Sequence, residues 1–329
     1  MTLTSHLSDK QSPVRQFIHA CAPELALAGT AGRRGKAMAE FFGFDELTSL
    51  EAQVPIPEAV KDRKSHAIVA GMALDYRLRM ELPGFDLVNT AGQKGLDILA
   101  RDTSIVHRGK HIHGVLEMAL GFSYRILNEK NPDRMSLVRA SVVLSWCESI
   151  MRVGPGPVLS GNLGRQIKRA KNAVDLMFGI DESLLFDIER MRDCVSPLID
   201  QWNQEIADGE PYVPNPRFLG SIAVGGADAD WAVGDLLVDL KSTEKITNPW
   251  LRETLFQLLG YTLLDLDDSL GIRRVGVLLP RQPFLAVWSV DELLNQDAED
   301  ALPQLRAEFA GLLVDMLKRQ PAGRLVPSE

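Results

Sequence analysis

Between Asp208 and Arg217 the chain reads DGEPYVPNPR, and Pro211, Pro214 and Pro216 forbid a helix from crossing this stretch. The period of the apolar pattern changes at the same point. Upstream, apolar residues recur at helical spacing, as in SHAIVAGMALDYRLRMEL from Ser65, with Ser65 as its expected N-cap, and in SLVRASVVLSWCESIMRV from Ser136. VPIPEAV (Val54–Val60) and GPGPVLSGNLG (Gly154–Gly164) read as links, and a helical stretch is expected from about Arg165 to Trp202. Downstream the runs shorten: FLGSIAV, ADADWAV and LLVDLKS read as strands, with Gly225-Gly226 and Gly234-Asp235 as hairpin dipeptides between them. NPWLRETLFQLLGYTLLDL follows as a helix, with Asn248 as N-cap and Pro249 as its first residue. RRVGVLLP and FLAVWSV return to strand patterning, and Ser289 caps a last helix. The C-terminal third therefore has the order β-β-β-α-β-β-α, which predicts an α/β fold behind a mainly helical region.

Composition excludes several classes of function. A formal net charge of −8 rules out a surface built for indiscriminate nucleic-acid binding, so such contact needs a local basic patch. The candidate patch is GRQIKRAKN, where Arg165, Lys168, Arg169 and Lys171 form one basic helical stripe; Arg273-Arg274 is a weaker one. Cys21, Cys147 and Cys194 lie far apart, which argues against a disulfide framework or a zinc site and for a cytoplasmic setting. The opening MTLTSHLSDKQSPVRQ lacks the pattern of a signal peptide, and no apolar run is long enough for a membrane span. No phosphate-binding P-loop is present, so no nucleotide cofactor is expected. His111 and His113 make an H-x-H, which shares a face only in a strand, and their neighbourhood reads as helix or loop.

The stretch GGADADWAVGDLLVDLKST carries the chemistry. A two-residue turn at Gly234-Asp235 sets Val233 opposite Leu236, Trp231 opposite Val238, Asp230 opposite Asp239 and Asp228 opposite Lys241. Alternation then sends Ala229, Trp231, Val233, Leu236, Val238 and Leu240 to one face and Asp228, Asp230, Asp239 and Lys241 to the other. Opposed like charges destabilise a sheet, so carboxylates on a rigid hairpin point to a hard divalent cation.

An aspartate, a short hairpin and then Asp239-Leu240-Lys241 resembles the PD-(D/E)XK nuclease motif. On the next helix Gln257 and Tyr261 stand four apart, similar to the Q-x-x-x-Y signature of the RecB-like branch of that superfamily. Gly71 followed by Asp75 resembles the branch's N-terminal helix, with an aspartate in place of the metal-proximal histidine. The resemblance implies a restriction-endonuclease-like core, a mixed sheet flanked by helices, with a large helical N-terminal and inserted region. The chain would divide into a helical segment over 1–64, a helix over 65–82 packing on the core, a helical insertion over 83–215 and the nuclease core over 216–329. It implies Mg²⁺- or Mn²⁺-dependent hydrolysis of DNA, as used in repair, phage defence or mobile-element processing. Asp228, Asp239, Lys241, Gln257 and Tyr261 would be catalytic. Asp228, Asp230, Asp239, Asp75 and the Leu240 carbonyl are the candidate ligands, with Asp228 preferred as the first. Tyr261 can also stack on a base, and Gly260 beside it would let a substrate backbone come close. With three cysteines the chain should lack the iron–sulfur cluster that some relatives hold. The helical region is open to a protein partner. The competing expectation is a catalytically silent protein of the same fold that binds nucleic acid or another protein.

Overall fold

The computed structural model describes residues 2–101 and 106–319. Short helices α1 (Leu3–Ser8), α2 (Pro13–Cys21), α3 (Pro23–Leu27), α4 (Arg33–Phe41) and α5 (Phe44–Ser49) come first. The helical region follows: α6 (Arg63–Arg79), α7 (Ala91–Arg101), α8 (Val106–Leu127), α9 (Arg134–Val153), α10 (Pro155–Ser160), α11 (Asn162–Arg169), α12 (Ala173–Phe178) and α13 (Glu182–Ala207). The α/β part comprises β1 (Tyr212–Pro214), β2 (Trp231–Val233), β3 (Leu236–Leu240), α14 (Asn248–Leu264), β4 (Arg274–Leu279), β5 (Phe284–Ser289), α15 (Val290–Leu294) and α16 (Ala298–Arg319).

The strands form one five-stranded mixed sheet in the order β1-β2-β3-β4-β5. All neighbours are antiparallel except β3 and β4, which are parallel and joined through α14. The hairpin register is as counted: Trp231 pairs with Val238 and Val233 with Leu236. Gly234 takes φ +57 while Asp235 stays negative, as a type II′ turn requires.

FLGSIAV is not a strand. Ser221–Val224 form a 3₁₀ turn, and Gly225 and Gly226 (φ +71 and +115) reverse the chain behind it without making a hairpin. The first strand lies instead at Tyr212–Pro214, inside the proline-rich stretch. It is an edge strand, where a missing N–H removes no ladder bond. Two caps also shift. Asp62 caps α6 by accepting from the Ser65 N–H, and Thr247 caps α14 by accepting from the Trp250 N–H. Ser289 caps a helix as expected and closes a full capping box with Glu292, but that helix, α15, is short and is followed by α16.

Both faces of the sheet are buried. Trp231, Val233, Leu236, Val238 and Leu240 join a core built from α6, α7, α9 and α13. Ala232, Leu237, Val275 and Val277 join a second core that holds the N-terminal helices, α14 and α16. The carboxylate face of the hairpin is therefore an apolar face that turns polar at one end. Within the helical region, ion pairs Arg77–Glu189 (3.0 Å) and Arg192–Glu81 (2.8 Å) tie α6 and the turn after it to α13. Among the described residues no helix is long and apolar enough to cross a membrane.

Candidate active site

The polar end of that face lies where β3 stops. Lys241 follows β3 directly, and its N–H still donates to the Leu278 carbonyl at 2.9 Å, so its backbone is fixed by β4. Its Nζ lies 2.6 Å from Asp239 Oδ2 and 3.4 Å from Gln257 Oε1. Gln257 Nε2 in turn donates to the Tyr261 hydroxyl at 2.6 Å. Four residues from two separate sequence signatures thus form one chain of contacts, Asp239–Lys241–Gln257–Tyr261. Burial opposes the charge on Lys241, but the Asp239 carboxylate outweighs it and holds the ammonium above its usual range.

Asp230 sits next to this chain. Beyond Trp231 the hairpin ladder gives way to the Asp230 side chain, whose Oδ2 accepts the Leu240 N–H at 2.5 Å. The Asp230 carboxyl is pushed well above the carboxylate range, first by burial and then by the charges of Asp75 and Asp239. Asp75 arrives from α6. One turn earlier, Gly71 lies so close to the end of β3 that a Cβ there would meet Ser242 Oγ at 2.5 Å. That approach delivers Asp75, 8% exposed, toward the sheet. Asp75 is pushed up to about 6, mainly by burial, with Glu148 adding to the rise and Arg79 opposing it. Asp75 forms a buried ion pair with Arg79 one turn on, and Asp75 Oδ1 has no hydrogen-bond partner.

Asp228 does not face Lys241. The β2 ladder begins only at Trp231, and Asp228 forms an isolated bridge with Arg217. Asp230 lies beside Asp239 as the count had it, whereas the pairing with Lys241 on which the preference for Asp228 rested is not made. Asp228 meets Arg152 instead, at 3.8 Å, and Arg152 also grips Glu148 one turn back on α9 at 2.5 Å. Glu148 and Arg152 were not read from sequence. Their signal was a charged pair four apart inside the otherwise apolar run SVVLSWCESIMRV.

Other expectations shift. The Tyr261 ring is 4% exposed and stacks on Phe218 at 5.3 Å, so its hydroxyl, not its face, reaches the site. Gly260 points away from it: a Cβ there would meet Leu3 and Ile18 at 3.1 Å, so the glycine accommodates the N-terminal helices and not a substrate. Arg165, Lys168, Arg169 and Lys171 are exposed, but α11 packs mainly on α8, α10 and α12 and not on the sheet. His111 and His113 fall on a helix, α8; His113 pairs with Glu117 at 3.7 Å, and the His111 side chain lies outside the described residues.

The donor set can be weighed against a divalent cation. Asp230, Asp239 and Asp75 are hard oxygen donors whose mutual repulsion a cation would relieve, and Asp75 Oδ1 is a buried oxygen without a partner. These features fit Mg²⁺ or Mn²⁺. Among the described residues no three His, Cys, Asp or Glu side chains already stand together as a metal-holding group. No family model matches the chain, and no curated protein or solved structure matches it.

Proposed function

We propose that this protein is a divalent-cation-dependent nuclease that hydrolyses phosphodiester bonds in DNA, on a restriction-endonuclease-like core. The observation that carries the reading is the contact chain Asp239–Lys241–Gln257–Tyr261 set beside the half-buried Asp230. A mixed sheet with helices on both faces agrees with such a core. Asp239 and Asp230 would hold the cation, with Asp75, Asp228 and the Leu240 carbonyl as further ligands. Bound there, Mg²⁺ supplies neutralisation of phosphate charge and lowers the pKa of water. Lys241, kept charged by Asp239, offsets the charge that develops on the phosphate and orients the attacking water. Gln257 holds the Lys241 ammonium and the Tyr261 hydroxyl in one line, which fixes where that charge sits.

The test is incubation of the purified protein with linear, circular and single-stranded DNA in Mg²⁺, Mn²⁺ or EDTA. Cleavage is expected with metal and not with EDTA, and Asp239→Ala and Lys241→Ala should abolish it. Wild type that leaves every substrate intact would sink the proposal. The second reading, binding without catalysis, is favoured by the absence of a ready three-ligand group among the described residues. Retained DNA binding without cleavage would select it.

A further inference from the structure

Two basic side chains that no sequence motif joins meet beside Asp228, and a third lies within range of their charge. Arg152 leaves the last turn of α9 with one contact on Glu148 and comes within 3.8 Å of Asp228. Arg217, in the connection from β1 to β2, is the bridge partner of Asp228, so the two lie side by side. Lys94 belongs to α7. Its neighbour Gly95 is pressed onto α9 so tightly that a Cβ there would lie 1.7 Å from the Cys147 carbonyl oxygen and 3.2 Å from the Met151 nitrogen. That contact fixes α7, which carries Lys94, on the turns of α9 that lead to Arg152. Burial and then the Arg217 charge lower the Lys94 ammonium, while Asp228 opposes them, so Lys94 and Arg217 feel each other's charge. All three cations are exposed. On a chain of net charge −8 such a gathering is a local departure. Asp228 and Glu148 offset two of the three positive charges, and an anion seated among the cations would offset the remaining one.

We propose that Lys94, Arg152 and Arg217 clamp a backbone phosphate of a nucleic-acid strand and seat it on the Asp228 side of the site; the identity of the ligand rests on the nuclease reading. Two of the three cations come from the helical region, which is thereby part of the substrate surface. The clamp, and not the stripe on α11, is then the phosphate contact nearest the carboxylates.

The experiment is fluorescence anisotropy of labelled duplex and single-stranded oligonucleotides over a salt series in EDTA. Wild type is compared with Lys94→Ala/Arg217→Ala and with a charge-matched control, Arg33→Ala/Lys36→Ala, on α4. The clamp variant should bind about tenfold or more weakly, and its log–log salt slope on duplex should be shallower by about two. The control should bind like wild type, and thermal melts should show all three proteins folded. Unchanged affinity and slope in the folded clamp variant would overturn the clamp, as would wild type that binds neither oligonucleotide. Cleavage with Mg²⁺ is scored in parallel. A protein that cleaves while the clamp variant binds normally loses the clamp and keeps the nuclease reading. A protein that never cleaves, but whose binding collapses in the clamp variant, keeps the clamp and loses catalysis.

Discussion

Arg281 and Asp187 form a two-point ion pair at 2.9 and 2.8 Å, with both side chains fully buried. Arg281 lies in the turn from β4 to β5, and Asp187 lies on α13. The same guanidinium donates to the carbonyls of Ser242 (2.9 Å) and Val54 (2.7 Å), and His66 holds Asp187 at 2.9 Å. The pair thus joins the helical region to the residue directly after Lys241. Burial works to raise the Asp187 carboxyl, but the hydrogen bonds from His66 and Arg281 outweigh it and hold the group below its usual range.

Removing one partner strands the other as a buried charge. Arg281→Ala should cost about 3–5 kcal/mol of unfolding free energy in urea denaturation. Arg281→Met/Asp187→Leu, which removes both charges, should recover part of that loss. A single variant within about 1 kcal/mol of wild type would show that the pair does not bind the two regions together.

Tyr261→Phe separates packing from chemistry. The ring keeps its stack on Phe218, while Gln257 loses the hydroxyl it holds at 2.6 Å. The expected cost in stability is about 1 kcal/mol. If Gln257 then lets Lys241 drift from its line, kcat should fall about tenfold or more with KM little changed. Equal kcat in a folded Tyr261→Phe protein would remove the tyrosine from the site.

The hairpin register, Asp239-Leu240-Lys241 and the Gln257–Tyr261 pair were legible in sequence because each is a local periodicity that the backbone must obey. Glu148 and Arg152 were not, because only the packing of α9 brings them to Asp228. The choice between Asp228 and Asp230 depended on where the ladder ends, and local pattern does not encode that. The strand at Tyr212–Pro214 was hidden by the same prolines that mark the boundary, since only an edge position tolerates them.

Gly71 should be sensitive through Ser242 alone. An added Cβ meets Ser242 Oγ at 2.5 Å but Ser242 Cβ at an ordinary 3.5 Å. Gly71→Ala is expected to offset its helix-propensity gain with this clash and to lower cleavage. Gly71→Ala/Ser242→Ala should be restored, with a coupling of about 1 kcal/mol in a double-mutant cycle. Additive effects would mean that α6 does not depend on this contact to deliver Asp75.

His19 should make stability depend on pH far from the site. Its ring stacks on Phe256 at 3.7 Å, and its Nε2 is buried without a partner. Burial, with Arg15 adding to it, lowers the imidazole from 6.5 to about 4, while Glu253 opposes the shift. Between those values the unfolded chain takes up a proton that the folded chain refuses. The contribution is therefore complete above pH 6.5 and is lost as pH falls toward 4. His19→Phe keeps an aromatic ring on Phe256 and removes the titration. Unfolding free energies at steps from pH 7 to pH 4 should decline more shallowly in the variant, by about one proton's worth of slope; His6, whose imidazole is also lowered mainly by burial, accounts for part of the decline that remains. Parallel curves for the two proteins would show that His19 is protonated as readily in the folded chain as in the unfolded one.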